Sequence, residues 1–379
     1  MDRAALSRQN QGRSVSRTPL PRAGMDLPKR ERSYHQAFDD DSRAHAAMHA
    51  FFSSIPARAE GCAQCAPLDD FAVVGASGAD ALTFLHGQLT QDVTGLPADA
   101  ARLAGYCTAK GRLLATLVMW RGADAAEDAP QLYALVRQDL AAALVKRLSM
   151  FILRAKARLA PTALHAAGVQ AEPAQLAALE AAAGALPRAP WQRAELPSGT
   201  WIAAPAAGAA LRWWWIASDA QLAAAAPLAA VLGRAPAGQW HAADLAAGIP
   251  WITSPTQDVF IPQTVNLDLI QGVSFTKGCY PGQEVVARSH YRGTVKRRMA
   301  YGTLAGADAD GAPLAGQDVF DATQPGEPVG RIVDAARADG KVAVLFETTL
   351  AALPQGDLRL GAADGPRIAA APLPYAITP

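Results

Sequence analysis

The sequence predicts an α+β body followed by a small C-terminal antiparallel β-barrel. Up to about residue 293, strand-like and helical segments intermix, as in the apolar run Phe71–Gly75 and the helical period of residues 139–149. After Val295 the helical period disappears, and short apolar runs are separated by Gly, Pro and Asp, which is typical of a small barrel. The length of 379 residues suits two or three domains.

The domain organisation follows from changes in composition along the chain. Residues 1–50 are rich in Arg, Ser and Pro and lack apolar periodicity, so we expect a disordered leader, with folded structure from about Leu68. The predicted boundaries, in chain order, are 1–50 for the leader, 66–293 for the body, with interleaved subdomains 66–125 plus 240–293 and 126–239, and 294–379 for the barrel.

Local patterns predict the individual elements of the body. A capping box at residues 77–80 predicts a short helix, and helical spacing of apolar residues predicts three more. The three further helices are expected at 139–149, 174–183 and 221–232. The strands are expected at 71–75, 112–120, 131–136, 153–159, 200–202 and 211–216. The triple tryptophan at 213–215 is expected in the core with one exposed face.

The barrel is predicted from five short apolar runs. They lie at 299–304, 318–320, 329–333, 342–346 and 358–360. The preceding motif segment would then lie at the seam between body and barrel, where ligand clefts tend to form.

Composition gives no support for a nucleic-acid-binding protein with an overall basic charge or for a membrane-spanning protein. Thirty-five basic and 34 acidic residues give a net charge of +1, so nucleic acid or a membrane would have to be attracted by a local patch. The longest apolar stretch, Leu222 to Leu232, is about half of the ~20 residues that a bilayer span needs. The four cysteines are sparse, which favours reduced thiols in the cytoplasm.

The cysteine spacing does not predict a metal site. Cys62 and Cys65 form a C-x-x-C pair, but zinc would need a second close pair or histidines at ligand spacing. We interpret the pair as two thiols of the leader, while a cluster shared among all four cysteines stays open.

Residues 275–298 concentrate most of the special-purpose chemistry. Gly278 and Gly282 enclose a thiol, a phenol and a proline, and they permit close approach of the backbone to a ligand or a partner. Lys277, Cys279 and Tyr280 are therefore the candidates for a functional group.

Two motifs in this region resemble a known family. Residues 277–284 read KGCYPGQE and resemble the K-G-C-Y-x-G-Q-E signature of the YgfZ family, the folate-binding relatives of the glycine-cleavage T-protein. Residues 260–268 read FIPQTVNLD and resemble its F-I-P-Q-x-x-N-L segment, in the same order. The resemblance extends from about Leu68 to Tyr375 and implies a T-protein-like fold.

The resemblance implies binding of tetrahydrofolate or another reduced folate. Phe71 and Trp240 match the aromatic positions that line the folate pocket of the family, although Phe71 replaces the usual tryptophan. The remaining candidates for folate contact are Gln263, Asn266, Gln283, Glu284 and Arg288. Gln283 and Glu284 suit a pterin edge or the capping of a neighbouring turn, and this choice stays open.

One departure separates the chain from the transferases. T-proteins carry a G-G-x-x-D-D-L segment, and the matching residues 111–117 read GRLLATL. Ala115 and Thr116 replace the two aspartates, and neither side chain can stabilise an amine as a carboxylate could.

Cys279 has three interpretations. It is a buried inert thiol, a nucleophile whose pKa Lys277 and Arg288 lower, or a transient ligand for iron or sulfur. In the second case Lys277 would hold the thiolate and Tyr280 would donate a hydrogen bond to it.

The resemblance implies an accessory protein that supports iron-sulfur enzymes, including those that methylthiolate tRNA, without a catalytic cycle of its own. One alternative is a folate-dependent one-carbon transferase. Another is a tRNA-binding module built on the basic run 288–298, although on a strand only half of these charges would share a face. The missing aspartates disfavour the first alternative, and the balanced charge disfavours the second.

Overall fold

The computed structural model describes residues 41–57, 61–122, 130–291, 295–304, 313–324 and 326–378, and the side chains from Ala47 onward. The helices are α1 (Asp41–Ser54), α2 (Ala81–His86), α3 (Gln138–Ser149), α4 (Leu176–Ala183), α5 (Asp219–Ala223), α6 (Ala226–Ala229), α7 (Ala237–Ala246) and α8 (Gln283–Tyr291). The strands are β1 (Ala63–Pro67), β2 (Phe71–Ser77), β3 (Ala101–Cys107), β4 (Leu113–Arg121), β5 (Leu132–Arg137), β6 (Arg158–Pro161), β7 (His165–Ala171), β8 (Arg193–Leu196), β9 (Gly199–Ala203), β10 (Leu211–Ala217), β11 (Leu232–Arg234), β12 (Arg297–Leu304), β13 (Asp318–Asp321), β14 (Gly330–Ala338), β15 (Lys341–Thr349), β16 (Leu358–Leu360) and β17 (Ile368–Ala371).

The first sheet has the order β11-β1-β7-β10-β9-β8, with β1 and β11 parallel and the other pairs antiparallel. Its central strand β10 carries the three tryptophans. Trp213 and Trp215 pack in the cluster that contains α1, and Trp214 packs in the larger core on the opposite face. All three are at most 1% exposed, so the expectation of an exposed face is wrong because both faces of this sheet are covered.

The second sheet has the order β3-β4-β5-β2-β6 and is antiparallel throughout. Helix α3 forms as predicted, and its Leu140, Leu144 and Leu148 are buried in the same core as the sheet. Because β5 pairs with both β2 and β4, this sheet draws strands from either side of residue 125. The expected subdomain boundary at that residue therefore falls inside the sheet.

The third sheet confirms the predicted barrel. Its order is β16-β13-β14-β15-β12-β17, with antiparallel pairs throughout. An isolated bridge between Arg359 and Arg367 joins the two ends, so the sheet nearly closes on itself. Helix α7 of the body lies against β14, where a Cβ on Gly238 would be 2.1 Å from the carbonyl oxygen of Arg337. This close packing connects body and barrel.

The folded region begins earlier in the chain than the sequence predicts. Residues 1–40 of the expected leader lie outside the described residues, but α1 begins at Asp41. Met48, Phe51 and Phe52 on this helix, and Ile55 just after it, are buried against the first sheet. The pair Cys62 and Cys65 is not in a leader either, because Cys65 is fully buried in β1.

Three local predictions also differ from the structure. The expected capping box of α2 is absent, because its N-cap is Asp80, whose carboxylate instead accepts from the backbone N–H of Lys156 at 2.7 Å. Of the strand expected at 153–159, only the last two residues belong to a strand, β6. The residues before Arg158 are not in a strand, because they continue the turn that follows α3. The helix expected at 221–232 is divided into α5 and α6, with Pro227 in the first turn of α6.

Candidate functional site

The loop 277–284 is held against the β3–β4 hairpin by two glycines. Gly282 has a φ of +82°, and a Cβ on it would lie 2.4 Å from the carbonyl oxygen of Thr108. Gly111, at the hairpin turn, has a φ of +72°, and its added Cβ would lie 2.9 Å from the Cβ of Val285. Both positions thus require glycine for conformation and for space. The contact fixes the loop and the start of α8 on the body.

Lys277 anchors the other side of the loop. Its ammonium donates hydrogen bonds to the carbonyl oxygens of His86 and Leu89, the latter at 2.8 Å. It also lies 4.8 Å from the centre of the Tyr280 ring. Burial lowers the pKa of Lys277 to about 8, against the opposing attraction of Asp92 and Cys279. Lys277 therefore fixes the backbone at His86 and Leu89, in addition to any effect of its charge on the Cys279 thiol.

Cys279 presents its thiol to solvent. It is exposed, whereas Cys65 and Cys107 are buried and burial raises the pKa of both thiols. Tyr280 is 7% exposed, and burial raises the pKa of its phenol. The interpretation of Cys279 as a buried inert thiol is therefore wrong. Lys277, Cys279 and Tyr280 thus lie together in the loop. Lys277 and Tyr280 anchor it to the body, and the Cys279 thiol is exposed to solvent.

Gln263 and Asn266 are fully buried, and they brace α8 and β12. The Gln263 amide donates to the carbonyl oxygen of Val286 in α8 at 2.6 Å. Asn266 donates to the carbonyl oxygen of Met299 at 2.8 Å and accepts from its N–H at 3.2 Å. Its left-handed φ of 60° is one that asparagine tolerates. Both side chains are oriented toward backbone groups of the chain itself.

The basic run is not one strand. Gln283, Glu284 and Arg288 lie on α8, with Glu284 and Arg288 exposed, and the strand begins only at Arg297. Arg297 is paired with Glu347, and the buried Arg298 is paired with Asp268 at 2.7 Å. Residues 292–294 lie outside the described residues. The described arginines of this run therefore do not form a single free patch.

Phe71 and Trp240 belong to one buried aromatic cluster. Ring centroids are separated by 4.6 Å between Phe71 and Trp251, 6.3 Å between Trp251 and Trp214, and 6.1 Å between Trp214 and Trp240. Trp240 also packs flat on β7, where a Cβ on Gly168 would be 2.1 Å from its ring. The structure thus brings the two predicted folate residues together, but both are enclosed, at 6% and 3% exposure.

Charges are buried beside these rings. Arg212 and Asp244 form an ion pair at 2.6 Å, and the Arg212 guanidinium lies 4.0 Å from the Trp240 ring centre. The second carboxylate oxygen of Asp244 accepts from the Trp251 indole at 3.0 Å. This pairing satisfies the buried carboxylate and fixes the cluster.

Trp191 is the accessible end of the cluster, and the sequence reasoning missed it. Its half-buried ring stacks on Trp214 at 5.7 Å and lines a slot of about 200 Å³ with Arg102, Leu103 and Ile270. Its φ of 69° is unusual for a bulky residue. Two backbone hydrogen bonds of 2.8 Å hold that conformation: the Trp191 carbonyl oxygen accepts from the N–H of Ala101, and the Trp191 N–H donates to the carbonyl oxygen of Ala203. Strained backbone of this kind is often found where a site is formed.

A larger cleft of about 540 Å³ opens at the seam between body and barrel. Its charged lining comprises Arg112, Arg297, Arg331, Asp318, Glu327 and Glu347. Two ion pairs, Arg297–Glu347 and Arg331–Asp318, already neutralise most of these charges. Phe260 and Thr264 of the FIPQTVNLD segment also line it, which places this motif at a cleft.

The two positions that the motif resemblance matches to the transferase aspartates hold no carboxylate. Ala115 and Thr116 are buried on β4. The Thr116 hydroxyl donates to the carbonyl oxygen of Pro250 at 2.9 Å and accepts from the N–H of Ile252 at 2.9 Å. Thr116 therefore ties β4 to the segment after α7.

The described residues include neither a cluster of metal ligands nor a membrane-spanning helix. These residues contain no group of three or more His, Cys, Asp and Glu side chains placed to hold a metal ion. None of their helices has the length and apolarity needed to cross a bilayer.

The fold is that of the T-protein. A glycine cleavage system aminomethyltransferase T from Bartonella henselae superposes with a TM-score of 0.63 and 15% identity, over 86% of this chain and 89% of that one. This likeness concerns the fold alone. No family model matches the chain.

Sequence relatives identify the family. A "tRNA-modifying protein YgfZ" from Edwardsiella ictaluri is 37% identical over 259 residues, covering 66% of this chain and 73% of the relative. A protein of the same name from Yersinia pseudotuberculosis is 34% identical over 262 residues, with the same coverage. The chain belongs to the YgfZ family, as the two motifs predicted.

Proposed function

We propose that this protein binds a reduced folate and acts as an accessory factor in tRNA modification. The single observation that carries the folate proposal is the slot at Trp191, because it connects solvent to the aromatic cluster that contains Phe71 and Trp240. Membership of a family whose curated relatives are named tRNA-modifying proteins supports the second part.

The dimensions of the slot suit one ring system. Its volume of about 200 Å³ is below the ~300–1,000 Å³ typical of pockets for whole drug-sized ligands. A flat pterin would stack on the Trp191 indole, and the benzoyl-glutamate part would remain at the rim. Arg102 lines the same slot and is half-buried. One of its nitrogens donates to the carbonyl oxygen of Asp92 at 3.0 Å and lies 3.8 Å from the Asp92 carboxylate, so the glutamate carboxylates would be attracted by the remaining N–H groups of its guanidinium.

Aminomethyl transfer is the weaker alternative. The relevant positions hold Ala115 and Thr116, and the Thr116 hydroxyl is already committed to two backbone partners. No side chain there can hold an amine as a carboxylate would. A direct tRNA contact through residues 288–298 is also weaker, since Arg297 and Arg298 are paired with acidic residues.

The exposed loop supports a role beside other proteins. Cys279 is held at the surface by Lys277 and by the Gly111–Gly282 contact, which suits a thiol offered to a partner. We assign the support of cytoplasmic iron-sulfur enzymes, including the methylthiolation of tRNA, to this loop, with Cys279 as the working group. Gln263 and Asn266 would then maintain the loop, while Gln283, Glu284 and Arg288 would form its exposed border.

Calorimetry with tetrahydrofolate tests the folate proposal. Trp191→Asn keeps the left-handed backbone and removes the ring, whose stacking contributes roughly 1 kcal/mol or more, so affinity should fall about fivefold or more. Trp191→Tyr should restore most of it, and Tyr291→Ala, at an exposed aromatic residue outside the slot, should not change it.

Two outcomes would contradict the proposal. Absence of heat with the wild-type protein would exclude folate binding, and unchanged binding by Trp191→Asn would exclude the slot. Trp240→Ala is a poorer test, because Trp240 is buried against β7 and its removal would also lower stability.

A further inference from the structure

Three large apolar side chains are exposed together just after α3. Met150, Phe151 and Leu153 are 60%, 51% and 87% exposed. Single exposed apolar residues are normal on a protein surface, but three within four residues form a contiguous patch that indicates an interaction site. This patch is independent of the folate slot and of the Cys279 loop, since none of its residues lines either.

The chain holds these side chains outward. Two backbone hydrogen bonds close the turn after α3. The N–H of Phe151 donates to the carbonyl oxygen of Leu148 at 3.0 Å, and the N–H of Ile152 donates to that of Ser149 at 3.2 Å. Farther along, the N–H of Lys156 donates to the Asp80 carboxylate at 2.7 Å. Because both ends are tied down, little ordering entropy would be lost on binding a partner.

Exposed basic residues flank the patch along the chain. The exposed basic residues are Lys146, Arg147, Arg154, Lys156 and Arg158. In the part of the chain that the structure describes, none of the five forms an ion pair with a carboxylate. In a chain with a net charge of only +1, this is a local positive surface that complements an acidic partner.

The neighbouring strand narrows the kind of partner. Strand β6 is the end strand of the second sheet and pairs with β2 alone among the described strands, so its outer backbone groups face away from the sheet. An extended peptide can pair with such an edge, whereas lipid chains cannot hydrogen-bond to it. RNA is disfavoured because bases stack on flat rings, and only Phe151 of the three apolar residues has one.

We propose that residues 146–158, with the edge of β6, dock an acidic, extended segment of a partner protein that carries apolar residues. Apolar side chains of the segment contact Met150, Phe151 and Leu153, and its carboxylates pair with the flanking basic residues. Its backbone continues the second sheet beyond β6.

Fluorescence anisotropy with a labelled peptide of alternating Glu and Leu tests this proposal on the full chain. The acidic peptide should bind, a Lys-Leu peptide should not, and binding should weaken at high salt. Leu153→Ser should reduce affinity by about tenfold or more, as expected of a central apolar contact. Lys156→Glu should weaken it as well.

Control variants distinguish specific binding at this surface from non-specific binding of the peptide. Tyr291→Ser and Lys341→Glu, at exposed positions outside the patch, should leave binding unchanged. Leu153 is so exposed that its substitution should not alter the melting temperature. Failure of the wild-type chain to bind the acidic peptide, or equal binding by Leu153→Ser, would overturn the proposal. Leu153-dependent binding to phosphatidylserine vesicles or to oligouridine, in preference to the peptide, would reassign the surface to lipid or to RNA.

Discussion

Asp334 is a buried carboxyl on the barrel side of the seam. It lies at a bulge in β14, and Arg137, His241 and Asp70 of the body surround it. Asp70 is itself paired with Arg137 at 2.7 Å and with His241 at 3.0 Å. Burial raises the pKa of Asp334 from 3.8 to about 6, and the attraction of Arg137 and His241 only partly opposes this. The carboxyl thus binds its proton more tightly in the native than in the unfolded chain.

Asp334→Asn should stabilise the protein at neutral pH. In the wild type the Asp334 carboxylate accepts a hydrogen bond from the N–H of Ala335 at 2.8 Å, and the oxygen of the asparagine amide can accept the same bond. The amide carries no charge, so its burial does not require an ion to be desolvated. Because the native pKa is the higher one, the wild type loses stability as pH rises from about 4 to about 6, and the variant should not. Melting temperatures measured across this range should diverge toward neutral pH. A constant difference at every pH would refute the assignment. Asp318→Asn, at a half-exposed carboxylate that pairs with Arg331, is the control.

Cys279→Ser should preserve fold and folate affinity, since oxygen for sulfur is nearly isosteric. It should nevertheless fail to restore iron-sulfur enzyme activity in cells that lack the protein, whereas Cys62→Ser should restore it. Lys277→Met should give an intermediate loss, because it removes both the nearby cation and two hydrogen bonds to backbone. Full rescue by Cys279→Ser would mean that the thiol is not the working group.

At the scale of elements, α1 stabilises the first sheet. Phe51 packs edge-on against Trp215, with ring centroids 5.2 Å apart. Phe51→Ala should therefore reduce the free energy of unfolding by roughly 3–5 kcal/mol, as for other buried aromatic residues. Ser53→Ala, on the exposed face of the same helix, is the matched control for denaturant unfolding. Equal effects of the two changes would show that α1 does not pack in solution.

The same helix shows how far local pattern reaches. Met48, Phe51, Phe52 and Ile55 have helical spacing, but they follow a polar, Arg-rich segment that dominated the prediction. Helix α3 was predicted because its period is long and uninterrupted. The basic run 288–298 is predicted as strand, but its first residues, 288–291, are the end of helix α8. Short elements are determined by what they pack against, which a single sequence does not show.

At the scale of the whole molecule, Arg298 joins the barrel, the body and the C-terminal segment. It pairs with Asp268 at 2.7 Å and donates to the carbonyl oxygens of Gln263 at 2.8 Å and Thr378 at 2.9 Å. Arg298→Met would leave Asp268 buried and unpaired, so we expect a loss of roughly 3–5 kcal/mol.

Arg331→Met provides the comparison for this change. It breaks an exposed pair with Asp318 and should cost only about 0–1 kcal/mol. Similar unfolding curves for the two variants would show that the Arg298 network does not hold body and barrel together.

The candidate site was predictable only in part for the same reason. The loop 277–284 is contiguous, so its motif was visible in the sequence. The slot combines Arg102, Trp191 and Ile270 from distant parts of the chain, and no local pattern links them. Gln263 and Asn266 were recognised as special, but their hydrogen bonds to Val286 and Met299 depend on the tertiary fold.

The two hydrogen bonds of Thr116 bear on whether this position could acquire a carboxylate in evolution. An aspartate at this position could still accept from the N–H of Ile252, but it could not donate to the carbonyl oxygen of Pro250. It would bring an unpaired negative charge against that oxygen in a fully buried place. Residues 250–252 would therefore have to change before a carboxylate became tolerable at this position. A single substitution of Thr116 by Asp would meet a stability barrier, so the chain cannot acquire a carboxylate here in one step without a loss of stability.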